Sequence, residues 1–314
     1  MREFRISEQE AGIRLVKYAG KLLGEAPASL IHKFIRNKNI ELNHKRCRED
    51  DLLKAGDMVE LFLSDETIDK FSGGSMAFYA GDTKSLDPKR ILYEDDNYLF
   101  YNKPPGLITQ SDKTGRVSLN DMLIAYTGTK GVFRPSVCNR LDTNTSGIVL
   151  CGRSLEGLKT LNSLMANRSR QDGRSKGRGI RKIYRALVIG RVDDEMTIRS
   201  WQRINRDNTV SVYDSEGEGL KEMVTLIRPI TSGERLSYIE CELITGRKHQ
   251  IRAQLSHIGH PVAGDRKYGS RPDPSKASRQ MLHAYRIIMP DEVLDGFTVT
   301  AGIPDDMQRI IEEI

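Results

Sequence analysis

The chain has 314 residues and a net charge of +6, with 38% hydrophobic and 29% charged residues. This composition is that of an ordinary soluble protein, and the length allows two domains with a sizeable core. The sequence has neither a long apolar run nor an N-terminal basic segment followed by an apolar one, which argues against a membrane span and against secretion. We therefore expect a cytoplasmic protein without a membrane partner.

The first domain, residues 1–64, is predicted to contain two helices followed by short strands. Helical spacing is shown by the apolar residues Ile13, Leu15, Val16, Ala19, Leu22 and Leu23. A second helix is expected to begin at Ser29 as N-cap, with Lys33, Arg36 and Lys38 facing outward. This order resembles the S4-type RNA-binding domain, and the resemblance implies that the three basic residues bind RNA. An ordinary exposed face is the alternative.

Residues 65–88 contain glycine, serine and proline with little periodicity, and they are predicted to form a flexible linker. The second domain is expected to span residues 89–314 and to consist of many strands with few helices. Helices are predicted at residues 155–165 and 247–258, the latter closed by a glycine. We therefore predict an α+β fold, with a mixed, mainly antiparallel sheet in the second domain and a small α/β domain before it.

A turn with one acidic residue lies between two apolar runs near the middle of the chain. Residues 140–147 read Arg-Leu-Asp-Thr-Asn-Thr-Ser-Gly, with Asp142 as the carboxylate. The apolar runs predict two buried strands, so that Asp142 is expected at a strand end facing a cleft. Enzymes hold carboxylate nucleophiles in such turns, although bonds to the turn backbone are the commoner role of an aspartate there.

Together with other motifs, this turn resembles the RluA-type pseudouridine synthases. The other motifs follow in that family's order at residues 102–106, 182–187, 245–252, 259–261, 264–265 and 282–284. Several separate motifs in the correct order are far more specific than any one of them. The chain departs from the family at Asn139, where the family usually has a histidine.

The resemblance implies that Asp142 is the reacting carboxylate. It can add to the base, attack the sugar or take a sugar proton, and the sequence leaves these routes open. Because burial disfavours a charged carboxylate, a cation is needed nearby, and Arg247 is the matching basic residue of the family's third motif. His249 and Arg252, three residues apart on a predicted helix face, are expected to reach RNA phosphates.

Three further residues are expected to accommodate the uridine, which must leave its base stack before it can react. Tyr184 would stack on the uracil, and its hydroxyl would assist a later proton transfer. Leu282, in the family's last motif, would form the floor of the uracil site. For both residues a core position is the alternative. Arg140, two residues before Asp142, would fill the gap left by the extruded base.

The positive charge is concentrated in residues 168–185, which contain eight basic residues and one acidic residue. Up to residue 179 this segment is rich in glycine and serine and has hardly any apolar residue, which predicts a mobile loop. The simpler interpretation is that this segment is a solvated, charged surface loop. Because the segment leads directly into the motif around Tyr184, we favour a flap that binds RNA phosphates.

Neither a metal nor a cofactor is expected. Cys47, Cys138, Cys151 and Cys241 lack the close paired spacing of zinc sites. The chain also lacks a glycine-rich nucleotide loop.

The sequence therefore predicts a monomeric, cofactor-independent pseudouridine synthase that acts on structured RNA. Ribosomal RNA, and 23S RNA in particular, is the expected partner because S4-like modules suit it, while transfer RNA stays open. Two other classes also stay open. A non-catalytic RNA-binding or ribosome-assembly factor has Asn139 as its support, and an aspartate-nucleophile hydrolase would release free uracil.

Overall fold

The structure is a computed structural model that describes residues 1–72, 85–112, 115–128, 132–167, 179–269 and 273–314. Its N-terminal part is a small antiparallel sheet packed against two helices. The strands are β1 (Arg2–Arg5), β2 (Ile40–Leu42), β3 (Lys45–Arg46) and β4 (Met58–Leu61), paired in the order β1–β4–β2–β3. The helices are α1 (Leu15–Leu22) and α2 (Ala28–Arg36). Apolar side chains of both helices and of the sheet, among them Leu15, Ile35 and Val59, form its core.

Helix α2 begins before the predicted N-cap at Ser29, because Pro27 occupies the cap position. A proline at the start of a helix has no N–H group that would need a partner. The three basic residues assigned to RNA, Lys33, Arg36 and Lys38, are all exposed, the first two on the outer face of α2 and the third directly after it.

The first part of the predicted linker is helical. The third helix, α3 (Asp65–Ser72), begins with two acidic residues, whose negative charge is favourable at a helix N-terminus. Ile68 is buried in the N-terminal core, and the Phe71 carbonyl accepts a hydrogen bond from the Glu25 N–H at 3.0 Å. This helix therefore packs on the N-terminal part and is not a linker. Residues 73–84, the middle of the predicted linker, lie outside the described residues.

The rest of the described chain is built on one large sheet. Its strands are β5 (Ile91–Glu94), β6 (Tyr98–Lys103), β7 (Ser136–Val137), β8 (Ser146–Gly152), β9 (Arg181–Ile189), β10 (Met196–Ile204), β11 (Val210–Tyr213), β12 (Lys221–Ser232), β13 (Leu236–Leu243), β14 (Leu282–Ile288) and β15 (Thr298–Thr300). The main order is β11–β10–β12–β13–β9–β14–β8–β6–β5, with β15 beside β14 and β7 beside β8. Every pair is antiparallel except β14 with β8. The predicted α+β class is confirmed.

Four helices accompany this sheet: α4 (Leu119–Thr127), α5 (Leu155–Asn167), α6 (Gln250–His257) and α7 (Asp305–Ile311). The helix predicted at residues 155–165 is confirmed. The helix predicted at residues 247–258 begins later, at Gln250, because His249 has a left-handed backbone with φ 51°. Among the described residues, none of the helices is both long and apolar enough to span a bilayer.

The N-terminal part packs on the large-sheet domain around the buried carboxylate of Glu10. Oε2 of Glu10 accepts hydrogen bonds from the backbone N–H and the hydroxyl of Ser7, at 3.1 and 2.9 Å. Oε1 accepts from the backbone N–H groups of Val132 and Phe133, in the segment that leads to β7. Val132 also packs into the N-terminal apolar core. One buried carboxylate thus joins the two parts of the chain.

The parallel contact of β14 with β8 brings the start of β14 against the end of the Asp142 turn. Gly147 has φ 111°, and a Cβ there would lie 2.3 Å from the Ala284 carbonyl oxygen, so this close approach requires glycine. Next to it, His283 is fully buried, and its Nδ1 shares a hydrogen bond of 2.9 Å with the hydroxyl of Ser146.

We expect His283 to make the folded protein less stable in acid. Burial lowers the pKa of His283 to about 4, whereas the ordinary value is 6.5. On acidification the unfolded chain takes up a proton that the folded chain excludes. The contribution of His283 to the free energy of unfolding is therefore fully present above the ordinary pKa. It is lost as the pH falls through the interval down to about 4, by about 3 kcal/mol in total.

Urea unfolding of the wild type and of His283→Gln over this pH interval measures the effect. The variant should be less stable near neutral pH but should lose less of its remaining free energy of unfolding on acidification. Equal pH dependence in both proteins would contradict the assignment to His283.

Candidate active site

The loop between β7 and β8 carries the predicted nucleophile and is fixed by hydrogen bonds. The Thr109 hydroxyl donates to the carbonyl of Leu141 at 2.9 Å and accepts from the Leu141 N–H at 3.2 Å. The Thr143 carbonyl accepts from the Gly106 N–H at 2.9 Å. These contacts hold the backbone on both sides of Asp142. The Asp142 side chain is 30% exposed and faces an open cleft of about 810 Å³.

Asn139 anchors the start of this loop. Its Oδ1 accepts a hydrogen bond from the Leu150 N–H at 2.7 Å, and its Nδ2 donates to the Ile148 carbonyl at 3.5 Å. A side-chain amide offers both a donor and an acceptor, so Asn139 extends the pairing of β8 beyond β7. The residue that departs from the family pattern therefore has a structural role within the hairpin.

Arg252 is the cation that contacts Asp142. Its Nη1 donates to Asp142 Oδ2 at 2.5 Å, while Nε and Nη2 donate to the two oxygens of Asp265 at 2.7 and 2.8 Å. The side chains of Arg252 and Asp265 are 7% and 0% exposed. Burial raises the pKa of Asp265, but the hydrogen bonds and charge of Arg252 outweigh this and hold that pKa below its usual value. Asp265 thus orients the guanidinium towards Asp142.

The predicted pairing of Arg247 with Asp142 is wrong. Arg247 precedes α6, and its Nε donates to the backbone carbonyl of Glu222 at 3.1 Å. Arg252 lies within α6, on the side that faces the loop. Arg247 still lines the cleft, so it remains a candidate for contact with the RNA.

His249 lies on the other side of Asp142. Its Nε2 is 3.7 Å from Asp142 Oδ1, and its Nδ1 shares a hydrogen bond of 2.9 Å with the Tyr268 hydroxyl. Burial lowers the pKa of His249, and the negative charge of Asp142 opposes this shift. The sequence assigned His249 and Arg252 to RNA phosphates, yet the structure brings both to the carboxylate.

A small pocket with one apolar wall adjoins the carboxylate. It has a volume of about 70 Å³, and its apolar lining is Leu141, Tyr184, Leu243, Ile251 and Leu282. Tyr184 lies on β9 and Leu282 on the adjacent β14, so the sheet itself places both side chains beside Asp142. Both are buried and belong to the core of the large sheet, so each combines a core position with a position at the pocket.

Lys103 is a residue of the site to which the sequence assigned no role. It is fully buried at the end of β6, and its Nζ donates to the carbonyls of Pro104, Leu107 and Thr143 at 3.0, 2.8 and 3.0 Å. Burial lowers the pKa of Lys103 to about 7, while the charge of Asp142 opposes this shift. Three carbonyl acceptors match the three N–H groups of the protonated amine. The sequence did contain a signal for this role, since Lys103 lies at the end of a mainly apolar run and directly before two prolines.

We expect Lys103→Met to loosen the Asp142 loop. The methionine keeps a similar apolar stem but removes the lysine donor from the carbonyls of Pro104 and Leu107 and leaves Thr143 only its bond from Gly106, which should cost about 2 to 4 kcal/mol of the free energy of unfolding. Urea unfolding measures this loss, and amide hydrogen exchange should show faster exchange at Gly106, whose N–H is bonded to the loop. Lys89→Met, at an exposed position, is the control. Unchanged stability and exchange would show that Lys103 does not hold the loop.

Only the end of the predicted basic segment, from residue 179 to residue 185, can be placed. Residues 168–178 lie outside the described residues. Arg181 and Arg185 each form an ion pair with a glutamate of β13, at 2.7 and 3.0 Å, so part of the positive charge of this segment is compensated. Lys182 and the exposed Arg140 line the Asp142 cleft.

Comparisons with known proteins show the family to which the chain belongs. The sequence model of the RNA pseudouridylate synthase family matches residues 97–257, just over half of the chain. Ribosomal large subunit pseudouridine synthase D of Neisseria meningitidis serogroup A is 30% identical over 96% of this chain and 78% of its own. Ribosomal large subunit pseudouridine synthase C of Vibrio parahaemolyticus is 27% identical over 85% of this chain and 79% of its own.

A solved structure shows the same fold. That of human RNA pseudouridylate synthase domain containing 4 covers 71% of this chain and 92% of its own, with a TM-score of 0.57 and 21% identity. The family match and the curated relatives extend this likeness to the activity. The chain therefore belongs to the RluA-type RNA pseudouridine synthases and is an isomerase.

Proposed function

We propose that this enzyme isomerises uridine in structured RNA without a cofactor, with Asp142 as the reacting carboxylate. The observation that carries the proposal is the Asp142–Arg252 pair beside a pocket with an apolar wall. The guanidinium stabilises the negative charge of Asp142, and Asp265 fixes the guanidinium in place. A charged nucleophile or base is thereby available next to a pocket whose apolar wall can contact the base.

The reaction needs a pocket in which the detached base can turn. The bond between uracil N1 and ribose C1′ breaks, the base rotates, and C5 bonds to C1′; C5 then loses its proton and N1 gains one. Asp142 can start this by adding to the base, attacking C1′ or taking a sugar proton. Apolar contacts are non-directional, so Tyr184 and Leu282 can hold the uracil before and after rotation. The Tyr184 hydroxyl is our candidate to assist the late proton transfer.

Access to the target atoms requires that the uridine leave its stack. Arg140 is exposed on the same loop as Asp142 and lines the cleft. A guanidinium is planar and stacks on aromatic faces, so Arg140 can take the place of the extruded base. Arg247, also at the cleft, can contact the backbone of the same strand.

The substrate that we propose is 23S ribosomal RNA. The relatives from Neisseria meningitidis and Vibrio parahaemolyticus are both named as ribosomal large subunit enzymes. An S4-like module in residues 1–64, with an exposed basic face, adds a second surface suited to folded RNA. We propose that the protein acts as a cytoplasmic monomer, and transfer RNA is the alternative substrate.

We expect Lys33, Arg36 and Lys38 to contribute electrostatic contacts to RNA. Changing all three to Gln should weaken binding to 23S RNA, and the slope of log affinity against log salt should fall by about 0.7 to 0.9 for each lost phosphate contact. Turnover of bound RNA should persist because none of the three lies near Asp142. Glu3→Gln, at an exposed position of β1, is a control on the same part of the chain. An unchanged slope would show that this face is solvated surface.

Tritium release from RNA labelled at uracil C5 tests the proposed activity, because only loss of the C5 hydrogen releases the label. Mapping pseudouridines in ribosomal and transfer RNA from a deletion strain, with and without the restored gene, identifies the substrate. Free uracil as the product would show a hydrolase instead. An RNA that binds but releases no tritium would favour a non-catalytic factor.

A further inference from the structure

The hairpin between β10 and β11 gathers two lysines at one residue. Asn208, at its tip, has a left-handed backbone with φ 63°. Its Oδ1 accepts a hydrogen bond from Lys248 Nζ, and its carbonyl accepts one from Lys267 Nζ, both at 2.8 Å. We call Lys248, Lys267 and Asn208 the lysine notch. Two ammonium groups from separate segments of the chain thus meet at one neutral residue.

The lysine notch lacks a full counter-charge. Neither Lys248 nor Lys267 forms an ion pair with a carboxylate of the residues placed in the structure. Asp207, the acid of the same hairpin tip, accepts hydrogen bonds from the hydroxyl and N–H of Thr209, which lower the pKa of Asp207; the charge of Lys267 adds a smaller part. Two like charges held close together by neutral oxygens repel each other, and a bound anion would relieve this repulsion.

The notch opens onto the cleft of Asp142. Both lysines line that cleft, together with Arg252 and His249. Burial is the largest cause of the lowered pKa of His249, and the charge of Asp142 opposes it. The positive charges of Arg252, Lys267 and Lys248 make smaller contributions that lower this pKa further. The field of the two ammonium groups therefore extends to the side chains beside the reacting carboxylate.

The hairpin is fixed to the active site by Tyr268. The Tyr268 hydroxyl accepts a hydrogen bond from the Val210 N–H at 2.9 Å and shares one with His249 Nδ1 at 2.9 Å. Tyr268 directly follows Lys267 and also packs against the guanidinium of Arg252, 5.2 Å from the ring centre. The same residue thus connects the notch, the hairpin and the groups that contact Asp142.

We propose that the lysine notch binds a backbone phosphate of the RNA strand beside the extruded uridine. This inference rests on the proposed function, since RNA is the polyanion that enters the cleft. A phosphodiester has two non-bridging oxygens, one for each ammonium group, and it would displace the two neutral Asn208 contacts. Phosphate contacts set the position of a strand, so the notch would align the nucleotide with Asp142.

Paired double variants test the notch by binding. The probe is a short RNA hairpin with a single loop uridine. Lys248→Gln with Lys267→Gln should weaken its binding about tenfold or more, as expected for lost charge-assisted hydrogen bonds, and should lower the salt slope by about 0.7 to 0.9 for one phosphate. Lys221→Gln with Lys276→Gln removes the same charge at exposed positions away from the cleft, and it should keep both values nearer to those of the wild type.

Asn208→Asp tests the same site without removal of a lysine. The substitution has nearly the same shape but gives Lys248 a carboxylate partner and places a negative charge on the residue whose carbonyl Lys267 contacts, so it should weaken binding of the hairpin without lowering the melting temperature. Wild-type affinity in Asn208→Asp would overturn the proposal. A fall in affinity of the Lys248 and Lys267 variant no greater than in the control pair would also overturn it.

A neutral methylphosphonate at each linkage flanking the uridine identifies the bound phosphate. At one linkage, the methylphosphonate should lower the affinity of the wild type. The same replacement should not lower the affinity of the Lys248 and Lys267 variant below its affinity for unmodified RNA. Equal losses in both proteins at both linkages would overturn the proposal. Wild-type enzyme that forms no pseudouridine in any RNA would overturn the proposed function instead, and these binding comparisons would still decide the role of the notch.

Discussion

Asp142→Asn should abolish isomerisation while folding and RNA affinity persist. The amide keeps the shape of the side chain but removes the negative charge with which the reaction begins. Loss of a reacting group in other enzymes reduces turnover by about four to six orders of magnitude, and we expect a fall of at least about 10³-fold here. Single-turnover tritium release measures the reaction, and the salt-dependent binding assay measures affinity separately.

Asp112→Asn is the matched control for this prediction. Asp112 lines the same cleft but is separated from the Asp142 pair and lies close to Arg116, 3.0 Å away. Its substitution also removes one carboxylate from the cleft and should leave turnover near that of the wild type. If purified Asp142→Asn still turned over at close to the wild-type rate, Asp142 would not be the reacting group.

Arg252→Leu should combine a large loss of stability with a loss of activity. It leaves the fully buried Asp265 carboxylate without its cation, and breaking such a pair costs about 3 to 5 kcal/mol. It also removes the only ion-pair contact that Asp142 makes with an arginine among the described residues. Urea unfolding measures the first effect, and tritium release at a temperature where the variant is folded measures the second.

Two further variants separate stability from catalysis. Arg252→Leu combined with Asp265→Leu removes both buried charges and should recover much of the free energy of unfolding without recovering activity. Arg247→Leu should cost much less stability, because the structure gives Arg247 Nε a backbone carbonyl as its partner. A double variant that regained turnover, or an Arg247 variant as unstable as Arg252→Leu, would contradict the assignment of the buried pair.

Local patterns were sufficient to predict the elements that carry the site. The apolar runs around residues 140–147 become the strands β7 and β8, and Asp142 does face a cleft in the loop between them. The helix at residues 155–165 follows from the spacing of its apolar residues. In each case the deciding interactions involve neighbours in sequence, so periodicity and turn residues contain the information.

The partner of Asp142 could not be predicted in the same way. Arg252 lies 110 residues beyond Asp142, and the resemblance pointed instead to Arg247, the other arginine of the same motif. The left-handed backbone of His249 delays the start of α6, which places Arg247 in the preceding loop and Arg252 on the inner helix face. The contact of Lys103 with Thr143, 40 residues away, could not be predicted for the same reason. Such pairings are set by the packing of the sheet.

The contacts of the Glu10 carboxylate with both parts of the chain have a consequence for which RNA folds the protein can bind. Because Glu10 bonds to Ser7 on one side and to Val132 and Phe133 on the other, the two domains are oriented before an RNA arrives. An RNA that contacts both the basic face of α2 and the Asp142 cleft then loses its orientational freedom once, and the two contacts reinforce each other. If both surfaces bind RNA as we propose, we expect the fixed distance between them to favour an RNA fold that spans it over one that is too short or bent.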